Sequence, residues 1–269
     1  MKKYRHYIFD LYGTLLDIHT DQKKPMLWRR MADLYGCYGA GWAPREMRRA
    51  YQRMCAEEEK RLAEMNGSPW PEITLERVFV RLLLEAPSLR ESRLLVEGKS
   101  ARAWREVCCE GPERGREGRR YDPEMLPDRL VHSDWVQCVA SEFRLLSICH
   151  LRLYPDTLET LQTIRQKGGS LWLLSNAQRC FTVQELEQVG LWDLFDGIRI
   201  SSDAGVRKPD PLFMRSLLDE EGLDPADCLM IGNERESDMA VAAACGVDGF
   251  YLEEDGHSLP LLLKEVRDA

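Results

Sequence analysis

Short apolar runs alternate with amphipathic segments in two parts of the chain, residues 1–17 and about 150–269. Short runs that are apolar at nearly every position are typical of strands covered on both faces. The predicted strands are Tyr4–Phe9, Ser170–Leu174, Ile198–Ile200, Cys228–Ile231 and Gly249–Leu252. The pattern therefore predicts an α/β fold in which amphipathic helices connect the strands of a parallel sheet.

Helix-end signals lie between the predicted strands. Asp210 offers an acceptor at an N-cap, Pro211 suits the first helical position, and Gly222 suits the left-handed residue that ends a helix. The sequence TVQE at 182–185 has the pattern of a capping box. It predicts that a short helix begins at Thr182.

Residues from about 18 to 149 have a different pattern, in which apolar residues recur at intervals of three and four. One such run is Met47, Tyr51, Met54 and Cys55. This spacing predicts a mostly helical insert, and its methionine and aromatic stripes are typical of helix core. Residues 98–128 interrupt the pattern with Gly, Pro and mixed charges, and we predict a flexible loop there.

Composition limits the classes of partner. The chain of 269 residues is 44% hydrophobic, enough for a sizeable core, and its 37 basic and 45 acidic residues give a net charge of −8. This balance gives nucleic acid no overall electrostatic reason to bind, so small substrates or proteins are the expected partners. No apolar run approaches the roughly 20 residues that span a bilayer, and the start MKKYRHYIFDLYG is too polar for a signal peptide. A cytoplasmic protein without a membrane partner is predicted; the sequence gives no oligomeric state.

The nine cysteines form no CxxC pair and have no zinc-like spacing with histidine. They stand at positions 37, 55, 108, 109, 138, 149, 180, 228 and 245. We therefore expect reduced thiols, most of them small buried residues.

Polar residues follow four of the predicted strands. They are Asp10, the pair Ser175–Asn176, the run Arg207–Asp210 and the cluster Gly232–Asp238. Each alone has an ordinary role as a turn former, cap or helix start. In an open parallel sheet, however, ligands bind beyond the carboxyl ends of the strands. The ordered set therefore predicts one site that combines carboxylates, a hydroxyl and an ammonium group.

The same segments resemble the haloacid dehalogenase superfamily. The matching pieces are FDLYGTLLD, LLSNAQ, RKPDPLF and IGNERESDMAVAAACG, in this order. Each motif is short, but four in the right order with suitable predicted elements are a specific signal. The resemblance implies a Rossmann-like, doubly wound core from residues 1–17 and 150–269. It also implies that the insert at 18–149 is an alpha-helical (C1-type) cap.

The resemblance assigns expected catalytic roles. Asp10 is the expected nucleophile, which forms a covalent aspartyl intermediate. Ser175 is expected to donate its hydroxyl to a phosphoryl oxygen, and Lys208 to neutralise charge on the transferring group. Thr14 is expected to hydrogen-bond near the carboxylate, and Asn176 to contact substrate.

The resemblance also implies a Mg²⁺ site made of oxygen donors. The expected ligands are Asp10, the main-chain carbonyl of Tyr12, Asn233 and Glu234. Asn233 stands where the family has a metal-binding aspartate, so Glu234 is expected to supply the missing charge directly or through water. Asp238 is expected to orient Lys208.

Tyr12 stands where superfamily phosphatases have a second aspartate as general acid and base. A phenol with an ordinary pKa near 10 is a poor base at neutral pH, and the dehalogenases of the superfamily also carry tyrosine there. Three hypotheses follow. We favour a Mg²⁺-dependent phosphatase for a small phosphomonoester; the alternatives are a metal-independent 2-haloacid dehalogenase-type hydrolase and a catalytically impaired binding protein.

Overall fold

The structure is a computed structural model that describes residues 3–110 and 120–268. The chain forms two compact units. The first contains the described residues of Met1–Thr20, Glu59–Ile73 and Ile148–Ala269. The second contains those of Asp21–Glu58 and Thr74–Ser147.

The described residues contain twelve strands and twelve α-helices. The strands are β1 (His6–Phe9), β2 (Leu16–Thr20), β3 (Ala40–Gly41), β4 (Ser88–Leu89), β5 (Cys109–Glu110), β6 (Arg120–Tyr121), β7 (Ile148–Leu153), β8 (Ser170–Ser175), β9 (Gly197–Ile200), β10 (Cys228–Gly232), β11 (Asp248–Tyr251) and β12 (Glu253–Gly256). The helices are α1 (Pro25–Cys37), α2 (Pro44–Asn66), α3 (Leu75–Leu84), α4 (Ala101–Val107), α5 (Asp128–Val131), α6 (Asp134–Ser147), α7 (Thr157–Gln166), α8 (Arg179–Gln188), α9 (Ser201–Ala204), α10 (Pro211–Glu221), α11 (Ala240–Ala244) and α12 (Leu259–Asp268).

A five-stranded parallel sheet forms the centre of the first unit, in the order β11–β10–β1–β8–β9. This confirms the predicted α/β class, and all five predicted strands are present. Phe9 at the end of β1 pairs with Ile231 on one side and with Leu173 on the other. The carboxyl ends of β1, β8 and β10 therefore lie at the same edge of the sheet.

Both faces of this sheet are buried, which explains why the strands read as continuous apolar runs. Successive side chains of a strand point to opposite faces. Phe9 accordingly packs in one apolar cluster with Leu171, and Ile8 packs in a second cluster with Met230. Ile8 and Phe9 are fully buried.

The predicted helix-end signals can be compared with the observed ends of α10 and α8 in the first unit. The Asp210 side chain accepts a hydrogen bond from the Leu212 N–H at 2.9 Å, and Gly222 ends α10 with φ +63°, as predicted. The capping-box prediction is wrong, because α8 begins at Arg179 and Thr182 lies inside it. The Thr182 hydroxyl instead donates to the carbonyl of Gln178 at 3.0 Å.

The second unit is helical, and its aromatic residues form its core. The Phe143 ring lies 5.8 Å from that of Trp28, 5.3 Å from that of Tyr51 and 5.4 Å from that of Phe79. Contacts at this range stabilise aromatic clusters. The aromatic stripes of the sequence are therefore packing residues here.

The predicted loop at 98–128 contains regular structure. Helix α4 begins after Ser100, whose hydroxyl accepts from the Ala103 N–H at 3.2 Å. Strands β5 and β6 form an antiparallel pair. Residues 111–119, in the middle of the predicted loop, lie outside the described residues.

Residues 59–73 fall inside the predicted insert but pack in the first unit. The Trp70 carbonyl accepts from the Arg207 N–H at 3.0 Å, and the Glu72 N–H donates to the Gly205 carbonyl at 3.0 Å. Ser68 donates its hydroxyl to the Asp210 carboxylate. This segment thus lies against the loop that carries Lys208.

In the described ranges, no helix is both long and apolar enough to cross a membrane. All nine cysteines are described, and each is a free thiol. The prediction that most of them are buried is wrong, because only Cys108, Cys180 and Cys228 are buried, while Cys37, Cys138 and Cys149 are exposed.

Candidate active site

An ammonium group between two buried carboxylates forms the centre of the candidate site. Asp10 directly follows β1, Lys208 precedes α10, and Asp238 lies in the π-helical turn Arg235–Met239 after β10. Lys208 Nζ donates to Asp10 Oδ1 at 2.7 Å and to Asp238 Oδ1 at 2.7 Å. The exposed fractions are 7% for Asp10, 2% for Lys208 and 1% for Asp238. The structure thus brings together residues that the sequence placed 198 and 30 positions apart.

Burial and charge act in opposite directions on these groups. Burial raises the pKa of the Asp10 carboxyl to about 6, although the Lys208 ammonium acts to lower it. Burial acts to lower the pKa of Lys208, but the charges of Asp10 and Asp238 outweigh it, so this pKa is raised. Lys208 is therefore protonated at neutral pH, and Asp10 is a carboxylate that titrates just below neutrality.

Lys208 is fixed at its side chain and at its backbone. Its Nζ also donates to the Leu174 carbonyl at 2.8 Å, so all three ammonium N–H groups are used. The Asn176 amide accepts from the Lys208 N–H at 2.8 Å and donates to the Lys208 carbonyl at 3.0 Å. Both polar atoms of Asn176 therefore hold Lys208, and a substrate contact of Asn176 stays a prediction.

Ser175 is the last residue of β8 and is fully buried. Its hydroxyl oxygen has no hydrogen-bond partner within the described residues. A buried polar group without a partner is costly in a folded protein and calls for an explanation. A ligand oxygen that accepts from this hydroxyl would supply one.

Thr14 and Gly13 lie against Asn233. The Thr14 hydroxyl donates to Asn233 Oδ1 at 3.2 Å, and Asn233 Nδ2 donates to Asp255 Oδ1 at 3.1 Å. Gly13 has φ +81°, and a Cβ built there would lie 2.3 Å from Asn233 Nδ2. Glycine is therefore required at position 13, and Thr14 bonds the fourth motif.

The carboxylate of Asp238 also shapes the turn after β10. Its Oδ2 accepts from the Glu234 N–H at 3.0 Å, while the Glu234 carboxylate accepts from the Ser237 hydroxyl at 2.7 Å. A Cβ at Gly232 would lie 2.2 Å from Asp238 Oδ2, so the backbone must approach this carboxylate closely. Asp238 thus contacts Lys208, and its role in orienting the lysine stays a prediction.

The hydroxyl of Tyr12 contacts two side chains of α8. Its hydroxyl donates to the Glu185 carboxylate and lies 3.1 Å from the Thr182 hydroxyl oxygen. Thr182 and Glu185 are buried, and Tyr12 is half-buried. The phenol is therefore a donor to a buried carboxylate.

The donors predicted for Mg²⁺ fit that ion by type, since they are carboxylate, amide and carbonyl oxygens. Within residues 3–110 and 120–268, no group of three or more His, Cys, Asp or Glu side chains is arranged to hold a metal. A site here would thus combine the carboxylates of Asp10 and Glu234 with the neutral oxygens of Asn233 and Tyr12. Asn233 is set against the segment that follows Asp10 by its contacts with Gly13 and Thr14.

Sequence reasoning missed several residues that hydrogen-bond Tyr12 or the segments after β8 and β9. Glu185 and Thr182 were interpreted as a helix cap, whereas they bond Tyr12. Glu72 was not singled out, yet its carboxylate accepts from Gln178 Nε2 at 2.8 Å and from Ser201 Oγ at 3.0 Å. No local pattern indicates these hydrogen bonds, because the partners lie more than one hundred positions apart in the sequence.

The fold and the site define a hydrolase of a known class. A family model described as haloacid dehalogenase-like hydrolase matches residues 4–246. The chain therefore belongs to the haloacid dehalogenase-like hydrolase family, as the four motifs indicated.

Named relatives match one part of the chain. It is 35% identical over 100 residues to a phosphoglycolate phosphatase of Aliivibrio fischeri, which covers 37% of this chain and 44% of the relative. It is 31% identical over 101 residues to a phosphoserine phosphatase of Thermus thermophilus, which covers 38% of this chain and 41% of the relative. The match thus spans less than half the length of these relatives.

A solved structure is similar over nearly the whole chain. The HAD-hydrolase YfnB from Bacillus subtilis, crystallised bound to magnesium, has a TM-score of 0.50 and 16% identity. The similarity covers 99% of this chain and 100% of that one. At this identity the likeness concerns the fold.

Proposed function

We propose that this chain is a magnesium-dependent phosphatase for a small phosphomonoester, with Asp10 as the nucleophile. The observation that carries the proposal is the buried Ser175 hydroxyl without a partner, at the sheet edge where Asp10 meets Lys208. A phosphoryl group requires a nucleophile, a cation and hydrogen-bond donors to its oxygens. The relatives named phosphoglycolate phosphatase and phosphoserine phosphatase support this reaction class.

In the first step, a carboxylate oxygen of Asp10 attacks phosphorus and forms an acyl phosphate. The ester P–O bond breaks, and its electron pair leaves with the alkoxide, which takes a proton from water. In the second step, water attacks phosphorus and loses a proton to solvent. The P–O bond to Asp10 breaks, which regenerates the carboxylate and releases inorganic phosphate.

Lys208 and Ser175 stabilise the charge of the transferring group. All three N–H groups of Lys208 are already hydrogen-bonded, so this residue acts mainly through its positive charge. The Ser175 hydroxyl donates to a phosphoryl oxygen. Both act in a buried site, where electrostatic interactions are stronger than in water.

Asp10, the Tyr12 carbonyl, Asn233 and Glu234 would hold the magnesium ion. When bound, the ion neutralises charge on the phosphoryl oxygens. Asp238 keeps Lys208 in place, and Thr14 keeps the Asn233 oxygen turned toward the nucleophile segment. We also propose that the insert at 18–149 supplies the helical cap of this enzyme.

The test is a panel of small phosphate esters assayed with Mg²⁺ and with a chelator. Asp10→Asn is expected to abolish turnover, whereas Asp33→Asn, an exposed carboxylate, serves as the matched control. Trapping with beryllium fluoride should label the site in the wild type and not in Asp10→Asn. Equal activity of wild type and Asp10→Asn on every ester would exclude the proposed nucleophile.

Tyr12 favours a second candidate, because superfamily dehalogenases carry tyrosine at this position. In that reaction the Asp10 carboxylate displaces halide from carbon, and water then hydrolyses the ester. Chloride release from 2-chloropropionate in the presence of chelator, without phosphatase activity, would select this candidate. Tight ligand binding with neither activity would select the third, a catalytically impaired binding protein.

A further inference from the structure

The second unit contains a cavity of about 510 Å³ near the first turns of α1 and α2. Its lining residues are Lys23, Pro25, Trp28, Arg29, Ala43, Pro44, Arg45 and Arg48. All eight belong to the second unit. The volume lies in the range of sites for small molecules, roughly 300–1,000 Å³.

Half of the lining side chains are cationic. Lys23, Arg29, Arg45 and Arg48 form no ion pair with any described residue. The buried Arg81 of the same unit has a different environment, since it pairs with Glu57, Glu58 and Glu85. Four cations without an acidic partner among the described residues therefore lie around one concavity.

Two acidic residues close to the cavity in the sequence are not part of its lining. The Asp21 carboxylate accepts from the backbone N–H of Lys23 at 2.7 Å, and Asp21 does not line the cavity. Glu46 lies in the first turn of α2 and is also absent from the lining. The amino end of the 23-residue α2 adds its partial positive charge to the four cations.

The remaining lining is apolar and rigid. Trp28 is 3% exposed, and its indole N–H donates to the Gln22 carbonyl at 2.7 Å, so the ring is a fixed part of the wall. Pro25, Ala43 and Pro44 complete this part of the lining. A cavity with cations beside an apolar wall suits an organic molecule that carries several anionic groups.

We propose that this cavity binds a small organic polyanion, whose phosphate or carboxylate groups contact Arg45 and Arg48. Guanidinium groups bind both kinds of anion through paired N–H donors. This binding is independent of the proposed hydrolysis, because none of the lining residues takes part in it.

The test is calorimetric titration of the full chain with pyrophosphate and with citrate, in buffer without divalent cations. Arg45→Ala and Arg48→Ala are expected to weaken binding roughly tenfold or more, since each removes a charge-assisted contact. Arg30→Ala and Arg49→Ala are charge-matched controls next to the lining residues, and each is expected to change affinity less than about twofold. Preference for pyrophosphate or for citrate identifies phosphate or carboxylate as the recognised group.

Three results would overturn the proposal. The first is no binding of either probe at millimolar concentration. The second is equal weakening by all four arginine variants, which would indicate a response to net charge alone. The third is loss of binding in Ser175→Ala with full binding in Arg48→Ala, which would place the anion at the candidate active site. Circular dichroism of each variant shows whether it is folded, and Arg45→Glu provides a second variant at the exposed position.

Discussion

The hydroxyl of Tyr12 donates a hydrogen bond to the buried carboxylate of Glu185. The two residues lie 173 positions apart and join the segment after β1 to α8. Tyr12 occupies the position of the second aspartate in superfamily phosphatases, so its structural partner bears on both stability and chemistry.

Removing this hydroxyl should affect stability more than turnover. Tyr12→Phe takes a donor from a buried carboxylate, so we expect the free energy of unfolding to fall by about 1–3 kcal/mol. Turnover of phosphate esters should change by less than about threefold, because a phenol bonded to Glu185 is a poor acid or base. Urea unfolding and steady-state kinetics measure the two quantities.

Tyr38→Phe is the matched control, because Tyr38 is also half-buried and its hydroxyl makes no hydrogen bond within the described residues. It should leave stability nearly unchanged. A hundredfold loss of turnover in Tyr12→Phe would mean that the phenol takes part in the chemistry.

Tyr12→Asp should increase phosphatase activity. It introduces the carboxylic acid that superfamily phosphatases use to protonate the leaving group, a contribution of roughly 10²- to 10⁴-fold where such a group acts. The gain should be greatest for alkyl phosphates, whose alkoxide needs a proton, and smallest for nitrophenyl phosphate. The ratio of kcat/KM for these two substrates in variant and wild type is the measurement, and an unchanged ratio would contradict this role for position 12.

Ser175→Ala should separate function from stability. The Ser175 hydroxyl is buried without a partner, so its removal should leave the free energy of unfolding unchanged or raise it by up to about 1 kcal/mol. Turnover should fall roughly tenfold or more, because a donor to the phosphoryl group is lost.

Ser201→Ala provides the contrast, since Ser201 is equally buried but its hydroxyl oxygen accepts from the Ala177 N–H at 2.8 Å and donates to Glu72. This variant should lower stability by about 1–2 kcal/mol. If Ser175→Ala destabilises the protein as much as Ser201→Ala does, the hydroxyl of Ser175 has a structural partner.

The pKa of Asp10 predicts opposite effects of pH on activity and stability. Burial raises this pKa from 3.8 to about 6, so kcat/KM should fall as the pH drops below about 6 and the nucleophile is protonated. The folded carboxyl holds its proton more tightly than the unfolded one. Its contribution to stability is therefore greatest below pH 3.8 and is lost as the pH rises to about 6.

Asp10→Asn isolates this stability term, because asparagine does not titrate. The difference in free energy of unfolding, wild type minus variant, should decrease between about pH 4 and pH 6, as urea unfolding at several pH values can determine. A difference that rises over this range would show that ion pairing with Lys208 outweighs burial.

The sheet could be predicted from the sequence because strands buried on both faces are marked by continuous apolar runs. The start of α10 was predictable for a related reason, since the Asp210 cap acts on a neighbour two positions away. The start of α8 was not. Thr182 and Glu185 have the local pattern of a cap, yet their side chains contact the Tyr12 hydroxyl, which only the tertiary fold brings near them.

The candidate site follows the same division. The positions of Asp10, Ser175 and Lys208 at one edge of the sheet were predictable, because each lies at the end of a predicted strand or in one of the four family motifs. The packing of residues 59–73 in the first unit was not predictable. Helix α2 continues across the boundary between Glu58 and Glu59, and no shift in composition marks this boundary.

The three acceptors of Lys208 link formation of the candidate site to assembly of the sheet. Its three hydrogen bonds end on Asp10, on Leu174 and on Asp238, next to three neighbouring strands from distant parts of the chain. Until all three strands are side by side, the lysine lacks at least one of its acceptors and the nucleophile lacks its counter-ion. A partly assembled chain thus lacks the charge neutralisation on which the proposed hydrolysis depends, until the last of these strands is in place.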